Sequence, residues 1–177
     1  MSPPEQTPDL AVLIAGLVRD GMALDGQQVT VYNEKVDIPK TAGLFVAVSY
    51  VSSRVIGNNR RYENDPLPGG SLNEVLTQEV RETYQLDLMS RDNSARLRKH
   101  EALFALNNTA SLQLQEAWSF RIFNVPMGFI DVSAVEGAGR LNRYAITFNV
   151  MRAFIKVAPV EYYDQFKNPP ENILINA

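Results

Sequence analysis

Few residues in this 177-residue chain are of a type that does chemistry, and their spacing decides against most of them. The only histidine, His100, stands between Lys99 and Glu101 in a stretch of helical spacing, with no neighbour at metal-ligand spacing. A Ser-His-Asp triad would have to use that imidazole, and the chain has no Gly-x-Ser-x-Gly elbow to carry the serine. There is no cysteine, which removes disulfides, thiolate metal sites and thiol nucleophiles together. Gly137-Ala138-Gly139-Arg140 is half of a glycine-rich phosphate loop. A strand pattern follows it, not the helix whose N-terminus would hold the anion, so it reads as a turn. Asp and Glu number 20, yet no pair lies in an apolar pocket that the sequence reveals. These residues predict no catalytic group, no cofactor and no metal.

The remaining candidates are contact residues. Arg54, Arg60, Arg61 and Tyr62 border or sit in a Gly/Pro/Asn-rich stretch, about residues 57–73, that reads as a long loop. Loops of that length are functional or are ordered by a partner. Arginines beside an aromatic can grip single-stranded nucleic acid. In a chain of net charge −3, intersubunit salt bridges or a solvated loop are the favoured roles.

The element that must position the rest is a helix within Leu86–Leu106, entered from a strand that ends near Met89, with Ser90 or Asp92 available as its cap. At helical periodicity Ala95, Ala102 and Leu106 line one side with Leu103 on its shoulder, while Leu97 and Phe104 fall opposite. Two opposed apolar stripes ask for two partners: the chain's own sheet, and either another part of this chain or a second copy. Arg91, Arg96, Arg98 and Lys99 lie toward the helix N-terminus, where cations oppose the macrodipole. Either they form a solvated face or anionic groups elsewhere compensate them. Arg54, Arg60, Arg61, Tyr62, Leu97 and Phe104 together form the candidate assembly interface.

Around that helix the patterns predict an α+β fold, a mostly antiparallel sheet packed on helices, in one domain over 1–177. Residues 1–6 read as an arm. Thr7-Pro8-Asp9 reads as a helix start, with the helix running over about 8–19 and stopped by Gly21. A short strand surrounds Val29 and Val31, followed by an irregular piece to Ile38-Pro39. Leu44–Val51 is apolar on both faces, and residues 74–89 alternate. A short helix over Thr109–Ala117, a strand over Trp118–Val125 and a long strand over Arg143–Lys156 follow. Residues 158–177 read as a tail, with a turn of helix around Tyr162–Phe166. Hydrophobic residues at 45% and charged residues at 21% are ordinary for a globular protein. Neither a signal peptide nor a transmembrane segment is expected, since Leu10–Val18 is too short to span a bilayer.

Several segments carry more than periodicity. Ser52-Ser53-Arg54-Val55-Ile56-Gly57, Asp87-Leu88-Met89-Ser90-Arg91, Gln113-Leu114-Gln115-Glu116-Ala117, Ser119-Phe120-Arg121-Ile122-Phe123 and Arg143-Tyr144-Ala145-Ile146-Thr147-Phe148-Asn149-Val150, in that order over about residues 40–165, resemble the phage neck/tail terminator family. The resemblance implies a non-enzymatic virion protein without cofactor, and an α+β subunit assembled in the host cytoplasm into a hexameric ring. Such a ring caps the tail tube, contacts the tube, and sheath proteins where present, and joins the head-side connector. DNA passes its lumen without specific binding, and no membrane is involved. A head–tail connector adaptor of a twelve-fold ring is the alternative, and a small enzyme is a third.

Overall fold

The computed structural model describes residues 9–32, 43–64, 72–136 and 139–160. Helix α1, Leu10–Gly21, starts at Asp9, whose carboxylate accepts the Ala11 amide at 2.9 Å. Its apolar spacing buries Leu10, Ile14 and Val18. Gly21 is its last residue, and the turn that closes it is made by Met22 and by Ala23 in the left-handed region at φ 50°. After a turn of 3-10 helix at Gly26–Gln28 come β1, Val29–Tyr32, and β2, Leu44–Asn64. Next are β3, Leu72–Ser90, then α2, Ser94–Asn107, and α3, Thr109–Ala117. Strand β4 is Phe120–Phe123; the short β5, Ile130–Asp131, and β6, Ala134–Glu136, precede β7, Gly139–Val160.

The sheet order is β1-β2-β3-β7-β4, with β5 and β6 also pairing β7. Among the described residues only the β1–β2 pair is parallel, so the expected α+β fold with a mostly antiparallel sheet is what the chain adopts. One face carries Val46, Val48, Tyr84, Leu86, Leu88, Ile146, Phe148 and Val150, which pack with α1, with Ala95, Ala102, Ala105 and Leu106 of α2, and with Phe120. That is the core.

Helix α2 uses both of its expected caps. The buried Ser90 hydroxyl accepts the Ala95 amide at 3.0 Å, and the Asp92 carboxylate accepts the Ser94 amide at 2.8 Å. Hydrogen bonds from Ser94 hold the Asp92 carboxyl below its ordinary range. Small residues let α2 approach α1 closely: a Cβ on Gly21 would lie 2.5 Å from Cβ of Ala105. A buried polar relay then fixes α3. Ser111 donates to the Leu106 carbonyl at 2.7 Å, Gln115 donates to Ser111 at 2.9 Å, and Gln115 accepts the Ile122 amide of β4 at 2.9 Å.

The expected loop at 57–73 is corrected. The chain stays in β2 to Asn64 and re-enters as β3 at Leu72. Gly57 and Asn58-Asn59, which suggested a turn, are strand residues paired with Glu79, Gln78 and Thr77. Gly57 sits beside a register shift and under the Glu79 side chain, a place where a strand tolerates glycine. Cross-strand backbone pairing along the whole segment outweighs its local turn preference. The tail is corrected likewise, since Ala158, Pro159 and Val160 belong to β7. The arm at 1–6, the Thr7-Pro8 helix start, the Ile38-Pro39 piece, residues 65–71, Gly137-Ala138 and the Tyr162–Phe166 turn lie outside the described residues.

Candidate assembly surfaces

Strand length creates the first surface. β1 pairs β2 only as far as Ser49, and β4 pairs β7 only as far as Arg152. Beyond those rows, among the described residues, β2, β3 and β7 continue without a fourth strand to Asn64, Leu72 and Val160. At about 3.3 Å per residue this three-stranded extension runs roughly 25–30 Å past the last row of β4. The core cluster ends before it. Apolar side chains are nevertheless exposed along it: Val55, Tyr62 and Phe154 on the face that the helices cover further in, and Ile155 and Val157 on the other. On the first face, Asn58, Arg60, Leu76, Phe154 and Lys156 line a shallow concavity of about 510 Å³.

A buried ion pair joins the extension to the covered sheet. Arg152 of β7 donates to Glu82 Oε1 at 2.7 Å, and the Tyr84 hydroxyl donates to Glu82 Oε2 at 2.8 Å. The Glu82 side chain is only 6% exposed, so each carboxylate oxygen must keep its donor. Burial, then the hydrogen bond to Glu82, pushes the Tyr84 hydroxyl well above the ordinary tyrosine range. On the opposite face Arg143 binds the buried Asp87 through both carboxylate oxygens, and Gln85 donates to the same group.

The second surface is the outer side of α2. Leu97 is 76% exposed and Phe104 72%, opposite the buried alanines, as the two-stripe pattern requires. His100 lies on this outer side, its ring edge-on to Phe129 at 5.9 Å. The basic residues of α2 are compensated within the chain in two cases. Arg98 pairs with Glu101 at 2.6 Å and also donates to the Met22 carbonyl, while the Lys99 ammonium sits 4.4 Å from the centre of the Tyr144 ring.

The six candidate residues do not form one site. Leu97 and Phe104 belong to α2. The other four lie on β2, where Arg60 and Tyr62 share one face and Arg54 and Arg61 the other. Arg60 already pairs with Glu74 at 2.9 Å and Arg61 with Glu63 at 2.7 Å. Neither arginine hangs on a loop as a free anchor. Tyr62 is exposed, as are Arg54 and its neighbour across the strands, Arg81. The Glu82–Arg152 pair was missed, although a charged residue between Val80 and Tyr84 in the apolar register of β3 was the signal for it.

Among the described residues no group of three or more His, Asp and Glu side chains could hold a metal, and no helix is long and apolar enough to cross a membrane. No protein-family model matches the chain, and none of the curated proteins matches it either.

Proposed function

We propose that this chain is a non-enzymatic virion protein, a neck/tail terminator whose copies close into a hexameric ring between the tail tube and the head-side connector. The observation that carries the proposal is the apolar surface left open at two separate places, the α2 stripe of Leu97 and Phe104 and the three-stranded extension with Phe154, Ile155 and Val157. Separate sticky surfaces on one subunit suit a head-to-tail contact, which closes into a ring when the rotation per copy divides a full turn. The likeness of Ser52–Gly57, Ser119–Phe123 and Arg143–Val150 to the terminator family supplies the virion context. Gold-labelled antibody against the chain, applied to intact tailed particles that encode it, is expected to mark the junction of head and tail. Particles that carry no label, or label at the tail tip, would overturn the proposal.

A further inference from the structure

We infer that the sheet face turned away from the helices binds the sugar–phosphate backbone of nucleic acid, through a cross-strand row of Arg54, Arg81 and Arg121. The register places them: Arg54 lies opposite Arg81, Arg81 opposite Met151, and Met151 opposite Arg121. All three arginines are exposed, and among the described residues none has a carboxylate partner. Arg81 stacks on the Phe123 ring at 5.4 Å, which fixes its guanidinium on this face. Like charges directly across two strands destabilise a sheet, so this row is one that an anion would relieve.

The surroundings favour phosphate over an acidic protein surface. The next rows inward hold Ser52, Thr83 and Asn149, then Ser49, Gln85 and Thr147, all neutral hydrogen-bonding side chains. Arg, Ser, Thr, Asn and Gln are the usual partners of phosphate oxygens, whereas the centre of a protein interface is depleted in charge and apolar. The exposed Leu97, Phe104 and Phe154 lie elsewhere; on this face the exposed Ile155 and Val157 stand further out along the extension and Ile130 at the inner end, on either side of the arginine row and the polar rows next to it. Asp87 on this face is already held by Arg143. Glu79, one row outward on β3, and the exposed Glu116 of α3, which shares a concavity with Arg121, are acidic neighbours that temper the site. The net charge of −3 is a sum over the whole chain and does not reveal such a row.

Binding of this kind is independent of base sequence and does not require ring closure. The test is fluorescence anisotropy of the full chain with a labelled random-sequence DNA duplex across a salt series, with the mass of the assembly measured on the same samples. Three phosphate contacts give a log–log salt slope of about −2.7, a roughly 40-fold weakening for a fourfold rise in salt. The triple variant Arg54→Gln, Arg81→Gln, Arg121→Gln is expected to lose that slope and the binding with it. The triple lysine variant is expected to keep most of both, and Glu79→Gln to bind more tightly. A triple glutamine variant that binds the duplex with an unchanged slope would overturn the inference. So would one that comes apart as an assembly while its duplex binding is intact, because the row would then serve an acidic protein surface.

Discussion

Replacing Arg152 with alanine tests what holds the three-stranded extension to the covered sheet. The guanidinium, 18% exposed, is removed and the Glu82 carboxylate, 6% exposed, keeps only the neutral Tyr84 hydroxyl as a donor. A buried charge stripped of its partner costs about 3–5 kcal/mol. The cation stacked 4.5 Å from the centre of Phe154 goes too, which adds about 0.5–1 kcal/mol. For a chain of this size each kcal/mol moves the melting midpoint by about 2–4 °C, so the midpoint should fall by roughly 7–24 °C. Glu82→Gln with Arg152→Met removes both charges together, leaves an amide oxygen for Tyr84, and should lie within about 1 kcal/mol of the parent. Urea unfolding of the parent, Arg152→Met, Glu82→Gln and the double closes the cycle. A single-variant cost below about 1 kcal/mol, or single-variant costs that simply add in the double, would refute the idea that the pair acts as a buried unit at this junction.

Three further outcomes follow from the packing. Phe104→Asp, at a side chain 72% exposed, should change subunit stability by no more than about 0.5 kcal/mol yet block assembly, whereas Leu106→Asp, at 1% exposed, should unfold the chain; circular dichroism beside sedimentation separates the two. The folded state keeps the Tyr84 proton that the unfolded chain releases above about pH 10, so stability is whole below that pH and falls by about 1.4 kcal/mol per unit above it. Urea titrations at stepped alkaline pH should find part of that slope missing in Tyr84→Phe. Gly21→Ala would gain about 0.5–1 kcal/mol of helix preference, but its Cβ at 2.5 Å from Ala105 Cβ costs about 1–3 kcal/mol, so a thermal melt should record a net loss.

Much of the fold was legible in residue types and spacing. The apolar recurrence at Leu10, Ile14 and Val18 marked α1, and Asn107-Asn108 with the following residues marked α3 to its observed bounds. The two stripes of α2 were readable because alanines and leucines that pack, and Leu97 and Phe104 that do not, differ by half a helical turn. The extension was not legible. Gly57, Asn58 and Asn59 carry turn preferences, and only pairing with Thr77, Gln78 and Glu79, distant in the sequence, keeps them extended. Strand register was equally hidden, and it alone sets Arg54 against Arg81 and brings Arg121 into the same row. Helix capping was half legible: Ser90 and Asp92 were visible as candidates, but that both act together depends on the tight turn between β3 and α2.

Native mass spectrometry of the purified full chain tests ring closure most directly. A hexamer is expected as the dominant species, with Phe104→Asp giving folded monomer under the same conditions. A twelve-fold species, or a monomer both in solution and on the particle, would contradict it.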